Sequence, residues 1–137
     1  MNSIFYIKKS HKNAKIESLY TVATMSVVNC KVKYIRPKYN NLREWMEDPN
    51  NVYIERKGVV FIDGARFPNH ETIFANPFKI GKDGTRDEVI AKYREYIMGE
   101  LAKNKDLLIG LKGKNLGCWC AHEPCHGDIL MELINKN

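Results

Sequence analysis

The segment that most constrains the fold lies near the C-terminus, where an apolar strand, a short loop and a helix follow one another. The strand is predicted at residues 116–120 and the helix at residues 124–135, where apolar side chains recur at helical spacing. Strands and helices also alternate before this segment, which is typical of a parallel sheet covered by helices. We therefore predict an α/β fold: a single three-layer, Rossmann-like domain with a mixed, partly parallel sheet.

The clearest predicted element is a helix over residues 86–103. Thr85 and Glu88 form a capping box at its start, because each side chain can bond the backbone amide of the other. Residues 65–83 are rich in proline, asparagine and glycine and are predicted as a loop, which at that length is usually functional or mobile. The other predicted elements are strands at residues 26–34, 52–54 and 59–62 and short helices at residues 42–46 and 106–111.

The length and composition of the chain predict one domain. With 137 residues, of which 44% are hydrophobic, the chain can bury a core of ordinary size. We place that domain at residues 26–137 and predict an N-terminal extension at residues 1–25, with a short strand at residues 4–7. No run approaches the roughly 18 apolar residues of a membrane span, and the N-terminus lacks the order of a secretory signal. The expectation is a soluble, cytoplasmic protein without a membrane partner.

Three of the four cysteines, Cys118, Cys120 and Cys125, fall within eight residues, so the chain is not a disulfide scaffold. Cys118 and Cys120 lie two residues apart on a predicted strand, where a disulfide between them would be strained. Cys30 lies alone in a valine-rich strand and is predicted to be a structural thiol, because free cysteine behaves as a small apolar group. Reduced thiols in a reducing compartment are therefore expected.

The cysteine-rich turn is predicted at the carboxyl end of a strand, which is where open α/β sheets bind ligands. Pro124 suits the first helical position, which would place Cys125 and His126 in the first turn of the last helix. The amides and dipole of that turn favour negative charge, so they would lower the pKa of Cys125 or hold a ligand phosphate. We predict Cys125 as nucleophile or polar anchor, with His126 and Asp128 as acid–base or orienting groups.

Two other interpretations of this turn stay open. Zinc prefers the sulfur and nitrogen ligands that the turn supplies, although the spacing departs from the usual C-x2-C knuckle and no second pair of ligands exists elsewhere. The alternative metal ligands are Cys118, Cys120, Cys125 and His126. The turn can also be purely structural, with its thiols packed in the core. The prediction is a site without a cofactor, with zinc as the alternative.

A basic stretch interleaved with tyrosines covers residues 31–43. The net charge of +6 favours anionic partners without demanding them, and no acid lies among the cations of this stretch. Cations can meet phosphates while Tyr34 and Tyr39 stack on bases, which makes nucleic acid a candidate partner; the plain interpretation is a solvated basic face. The five cations are Lys31, Lys33, Arg36, Lys38 and Arg43.

Several segments carry a family resemblance. In chain order they are Val27-Val28-Asn29, Val52-Tyr53-Ile54-Glu55-Arg56, Asn76-Pro77-Phe78, Asp83-Gly84-Thr85-Arg86, Tyr93, Gly117-Cys118-Trp119-Cys120 and Glu123-Pro124-Cys125-His126-Gly127-Asp128. Together they resemble the family called domain of unknown function 4326, over residues 26–135. The C-terminal motif is highly specific to that family.

The resemblance implies a compact single domain of a kind found in bacteria, phages and large DNA viruses, and it brings no established activity. Members often have glycine where this chain has Glu55 and Ala75, and glycine there would let a ligand approach the backbone more closely. The candidate residues that match motif positions are Asn76, Arg86, Cys118, Cys120, Cys125, His126 and Asp128.

The leading functional hypothesis is a small enzyme or ligand-binding domain that acts on a nucleotide or another phosphate-bearing anion. Asn76 and Arg86 are predicted to hold the anionic group, and Lys79 and Arg56 complete the predicted ligand-binding set. One alternative is a zinc-stabilised module that binds nucleic acid through the basic stretch. Another is an interaction protein without chemistry, so the sequence leaves open whether the protein is an enzyme.

Overall fold

The structure, a computed structural model, describes residues 25–136. The predicted extension, apart from Met25, and its strand at residues 4–7 lie outside the described residues. The elements, in chain order, are β1 Ser26–Asn29, α1 Val32–Ile35, α2 Leu42–Glu47, β2 Asn51–Tyr53, β3 Val60–Ile62, β4 Ala65–Phe67, α3 Arg86–Lys103, a 3-10 helix Ile109–Leu111, β5 Asn115–Cys118 and α4 His126–Asn135.

The centre of the fold is a three-stranded sheet in the order β1-β5-β2. Both outer strands run parallel to β5, with Val28 and Tyr53 on either side of Gly117. Strands β3 and β4 form a separate antiparallel pair. The predicted combination of helices with a parallel sheet is therefore confirmed, but parallel and antiparallel strands lie in two sheets and not in one mixed sheet.

Apolar clusters lie on both faces of β5, because successive side chains of a strand point to opposite sides. One cluster, here called the cysteine face, includes Leu116 and Cys118 and packs against α3 and α4. The other, here called the tryptophan face, is formed by Cys30, Ile35, Leu42, Trp45 and Tyr53.

Gly117 is the residue through which β5 meets the tryptophan face. A Cβ atom at this position would collide with the sulfur of Cys30 and the ring of Trp45. Glycine is required here because the indole lies directly against the backbone of the central strand.

Helix α3 has the bounds that its capping box predicts. The hydroxyl of Thr85 accepts from the amide of Glu88 at 3.2 Å, and Oε1 of Glu88 accepts from the amide of Thr85 at 2.8 Å. Buried Val89, Tyr93 and Ile97 follow on the inner side of the helix. Both signals are local in sequence, which is why the prediction is confirmed residue for residue.

Four other predictions need correction. The strand predicted at residues 26–34 ends at Asn29, because Oδ1 of Asn29 accepts from the amide of Lys31 at 3.0 Å and turns the chain into α1. The predicted loop at residues 65–83 contains β4, joined to β3 by Asp63 and Gly64, which both have positive φ. The predicted strand at residues 116–120 ends at Cys118, and the predicted helix at residues 106–111 shortens to one 3-10 turn.

Among residues 25–136, no helix combines the length and the apolar character needed to cross a bilayer.

Candidate functional site: the cysteine turn and its pocket

The three clustered cysteines come together at the carboxyl end of β5. Their sulfur atoms all lie within 4.8 Å of one another, and those of Cys118 and Cys125 are 3.5 Å apart. Cys118 and Cys125 are buried, whereas Cys120 is half-buried. The three sulfurs are placed closely enough to hold a metal ion, and His126, the fourth predicted ligand, does not belong to this group.

Cys125 is the N-cap of α4 and not a residue of its first turn. Its sulfur accepts from the amide of Gly127 at 3.3 Å, while its own amide donates to Oδ2 of Asp128 at 3.0 Å. The prediction that helix begins at Pro124 is wrong because this reciprocal capping fixes the start one residue after Cys125. Asp128 is exposed and holds the turn in place from outside.

The predicted lowering of the pKa of Cys125 is also wrong. Hydrogen bonding to the thiols of Cys118 and Cys120, together with burial, raises the pKa of Cys125. Hydrogen bonding by those two neighbours lowers the pKa of Cys120 instead, and the guanidinium of Arg86 acts in the same direction. Adjacent thiolates repel one another, so ionisation of one sulfur raises the pKa of its neighbours unless a cation lies between them.

His126 is fixed in the core at the start of α4. Its Nε2 lies 2.7 Å from the carbonyl oxygen of Ile54, and because a carbonyl only accepts, Nε2 carries a proton and donates it. The imidazole also meets the ring of Tyr93 edge-on, with centroids 4.9 Å apart. Tyr93 is held in turn by its hydroxyl, which donates to the carbonyl of Phe74 at 2.7 Å. This chain of contacts fixes the orientation of the imidazole ring.

A cavity of about 310 Å³, here called the carboxyl-end pocket, opens beside the turn where β2 and β5 end. Its wall includes two of the predicted catalytic residues, Cys125 and His126, but not Asp128. All four residues of the predicted ligand-binding set line it: Arg56, Asn76, Lys79 and Arg86. Sequence reasoning therefore grouped residues that are up to 70 positions apart in the chain and that the fold brings to one cavity.

Two of these four residues hold the loop before α3 against the sheet. Nη2 of Arg56 donates to the carbonyls of Asn76 and Phe78, at 2.8 and 3.2 Å. The amide nitrogen of Asn76 donates to the carbonyl of Val89 at 3.3 Å, and its Oδ1 accepts from the amide of Phe78 at 2.9 Å. Nδ2 and Oδ1 of Asn76 each make one hydrogen bond within the protein, and these bonds fix the side chain in the pocket wall.

The other two residues differ in how much of their charge is engaged. Arg86 donates from Nη1 to the carbonyl of Pro124 at 3.0 Å and pairs through Nη2 with Glu123 at 2.8 Å, which ties α3 to the cysteine turn. Lys79 is exposed, and only its backbone is engaged: its amide donates to Asp83 at 2.8 Å, and its carbonyl accepts from the amides of Lys82 and Asp83. Within residues 25–136, the ammonium of Lys79 has neither a hydrogen bond nor an ion pair, so it is available to a ligand.

Glu55 is an acidic residue of the pocket wall that was not among the predicted site residues. It follows β2 directly and is only 8% exposed, and this burial raises the pKa of its carboxyl, while the nearby imidazole of His126 opposes the rise. Its signal was present in the sequence as a charged residue at the end of an apolar strand. The resemblance marked the same position, because family members often carry glycine there.

The basic stretch is partly engaged in contacts within the protein. Nη1 of Arg43 pairs with Asp63 at 2.9 Å, and Nε of Arg36 donates to the carbonyl of Asn40 at 3.1 Å. Tyr39 is half-buried and its hydroxyl donates to Asp48, whereas Tyr34 is 49% exposed. Only one of the two interleaved tyrosines therefore presents its ring for stacking.

Comparison with known proteins agrees with the motif of the turn. The family described as Domain of unknown function (DUF4326) matches residues 38–136, which include the whole pocket and all three clustered cysteines. The chain belongs to this family. The resemblance drawn from the sequence is thereby confirmed.

A curated relative comes from a phage. It is an "Uncharacterized 12.4 kDa protein in nrdA-td intergenic region" of Enterobacteria phage T4, 36% identical over 63 residues. That match covers 42% of this chain and 56% of the phage protein, so the chain spans little more than half of its relative's length. No solved structure has significant similarity to the chain.

Proposed function

We propose that this domain binds a nucleotide or a related phosphate-bearing anion in the carboxyl-end pocket. The observation that carries the proposal is the charge of the wall, where Arg56, Lys79 and Arg86 outnumber the single carboxyl of Glu55. Cationic groups bind phosphates strongly when the site partly excludes water. Of the three cations, Lys79 is the one whose charge has no partner among the described residues.

The two sides of the pocket suit the two halves of a nucleotide. Phe78, Ile80 and Ile90 form an apolar side that can pack against a base, whereas the cations and the cysteine turn form a polar side for phosphates. A volume of about 310 Å³ is at the lower end for small-molecule sites and favours a ligand the size of a mononucleotide over a dinucleotide.

The predicted catalytic residues have two different roles in this proposal. Cys125 and His126 would contact the bound ligand, and Asp128 would position the turn that carries them. A Rossmann-like, three-layer arrangement is part of the same proposal. The apolar clusters on both faces of the sheet and a pocket at the carboxyl ends of its strands support it, because open α/β sheets bind ligands there.

Calorimetric titration with AMP and ADP, and with adenosine as the uncharged control, tests the proposal. ADP should bind and adenosine should not, because the cations recognise the phosphates. Lys79→Gln should raise the Kd for ADP about tenfold, the equivalent of losing about 1.5 kcal/mol for a charged hydrogen bond.

The matched control is Lys82→Gln, which removes an equally exposed lysine three residues away and outside the pocket. It should leave the Kd for ADP unchanged. Equal effects of the two substitutions would mean that general surface charge attracts the nucleotide, and an absence of ADP binding by the unaltered protein would remove the proposed function.

The nucleic-acid module is the second candidate, and one observation favours it. Tyr34 is exposed, and the ammonium of Lys33 lies 5.1 Å from its ring, a combination that suits stacking beside a phosphate. Binding to single-stranded DNA should then weaken steeply with salt, and Tyr34→Ala should weaken it further. The pocket has the stronger support because Arg36, Arg43 and Tyr39 are engaged within the protein.

A further inference from the structure

We infer that Cys118, Cys120 and Cys125 bind a zinc ion as three thiolate ligands, with a fourth coordination position that opens into the carboxyl-end pocket. This site differs from the four-ligand set predicted from the sequence, because His126 is not one of its ligands. Metal binding itself is independent of the proposed function. Only the identity of the group at the fourth coordination position rests on the proposed function.

The spacing of the sulfurs fits a tetrahedral zinc ion. Zinc–sulfur bonds of about 2.3 Å place two tetrahedral ligands about 3.8 Å apart. The sulfurs of Cys118 and Cys125 are 3.5 Å apart, and all three sulfurs lie within 4.8 Å of one another. The separation that zinc requires is comparable with these distances, so the three side chains are placed to share one ion.

No fourth ligand comes from the described part of the chain. The cluster of metal-competent atoms in residues 25–136 contains the three cysteines alone. The imidazole of His126 is directed elsewhere, since its Nε2 donates to Ile54 at 2.7 Å and its ring packs against Tyr93. A zinc ion with three protein ligands keeps one position for water or a ligand, as zinc ions that take part in chemistry do.

The burial of the three cysteines indicates which way the open position faces. Cys118 is fully buried on β5 and is not part of the pocket wall, whereas Cys120 and Cys125 both line the pocket. A zinc ion between them therefore has Cys118 behind it and the cavity in front. The cations of the wall lie on the same side as the open position.

The surroundings of the sulfurs suit bound thiolates. The amide of Gly127 donates to the sulfur of Cys125 at 3.3 Å, at the positive end of the α4 dipole. Arg86 and Cys120 line the same pocket. Three thiolates and Zn²⁺ carry a net charge of −1, and the cations of the pocket wall lie on the same side of the turn.

The occupant of the fourth position follows from the proposed function. A phosphate-bearing anion held by Lys79 and the apolar side would present an oxygen to the zinc ion, in place of water. The shared chemistry is a phosphate oxygen, so inorganic pyrophosphate and ADP are both suitable probes, and their comparison reports whether the base contributes.

Zinc content of the full-length protein, purified under reducing conditions, is the first measurement. We expect about one zinc ion per chain, as in other thiolate zinc sites. Cys120→Ser should lower the content to background, and because Cys120 is half-buried this variant should still fold. The matched control is Cys30→Ser, which alters a buried thiol outside the cluster and should keep the zinc.

Two outcomes of this measurement overturn the site. One is unaltered protein without zinc, whether its thiols are free or Cys118 and Cys125 form a disulfide. The other is loss of zinc from His126→Gln in a folded protein, which would restore the four-ligand set. Retention of zinc in His126→Gln supports the three-thiolate site.

Cobalt substitution separates this inference from the proposed function. Co²⁺ in the site should give a sulfur-to-cobalt charge-transfer band and intense visible bands, and ADP or pyrophosphate should change the visible bands. A charge-transfer band without ADP binding by calorimetry would uphold the metal site and remove the proposed function. ADP binding that leaves the cobalt bands unchanged would uphold the pocket and overturn the open position.

Discussion

Two fully buried cysteines at the ends of neighbouring strands, Cys30 and Cys118, differ in what surrounds them. They are adjacent, since the amide of Cys30 donates to the carbonyl of Cys118 at 2.8 Å. Cys30 lies on the tryptophan face with Trp45, and burial raises the pKa of its thiol. Cys118 lies on the cysteine face, 3.5 Å from the sulfur of Cys125. The two thiols therefore differ in their neighbours: Cys30 packs beside an indole, whereas Cys118 packs beside a second thiol.

The same contrast holds for the two faces as a whole. On the tryptophan face, apolar side chains surround one indole, and buried Asn51 donates to the carbonyl of Trp45 at 2.9 Å, at the opposite end of β2 from the pocket. The cysteine face adds buried polar groups at one end, namely Glu55, Asn76 and His126, all of which line the pocket. Buried polar groups are costly unless they are hydrogen-bonded, so their concentration at the end of the strands indicates a functional site. Substitutions on the two faces should accordingly have different consequences.

The largest expected effect is on the tryptophan face. Gly117→Ala should lower the free energy of unfolding by about 3 kcal/mol, because the added methyl group collides with Cys30 and Trp45. Urea denaturation measures it, with Gly110→Ala as control, since a Cβ at Gly110 meets no atom within 4 Å. The folded fraction should still bind ADP. If Gly117→Ala lost ADP binding without losing stability, the two faces would not differ in the way proposed.

An intermediate effect is expected where the cysteine face supports the pocket. Tyr93→Phe removes the hydrogen bond to Phe74 and leaves that partly buried carbonyl without its partner, which should cost about 2 kcal/mol. Tyr96→Phe is the matched control, because the more exposed Tyr96 makes a similar bond to Ile73 and should cost about 0.5 kcal/mol. Equal losses in urea denaturation would contradict the burial argument. A weaker affinity of Tyr93→Phe for ADP would indicate that the cysteine face also supports the pocket, since Tyr93 packs against His126.

The smallest expected effect concerns the pH dependence of the contact between α3 and α4. The bidentate guanidinium of Arg94, with help from Lys136, lowers the pKa of Glu132 to about 2. Because the pKa is lower in the folded state, the stabilisation is present above the unfolded pKa of about 4.3 and is lost as the pH falls towards 2. Glu132→Gln should therefore have a lower melting temperature than the unaltered protein at pH 7 and approach it at pH 2 to 3. A difference that does not change with pH would contradict this account.

The sequence predicts the elements whose signals are local. The capping box of α3 lies within four residues, and its helix is confirmed with the same bounds. The hairpin of β3 and β4 also had a local signal, Asp63-Gly64, which the long-loop prediction did not use. The start of α4 was misplaced because Pro124 suits a first helical position, and the capping by Cys125 and Asp128 competes with it.

Several residues that line the pocket were predictable from the sequence, but their contacts were not. Residues that follow neighbouring parallel strands meet at one edge of the sheet, so Arg56 and Cys125 could be grouped from the chain alone. Asn76 lies in a loop and was grouped with them because it flanks the turn before α3 and matches the family motif. The order of the pKa values of the three thiols could not be predicted from the sequence, because that order depends on the distances among the sulfurs. The engagement of both polar atoms of Asn76 within the protein likewise required coordinates.

The central claim, that the carboxyl-end pocket binds a phosphate-bearing anion, is tested most directly by titrating the ¹⁵N-labelled full-length protein with ADP. The account predicts chemical-shift changes at the amides of Lys79, Arg86 and the cysteine turn, and none at Leu42 and Trp45 on the tryptophan face. An absence of changes around the pocket, or changes confined to the basic stretch from Lys31 to Arg43, would contradict it.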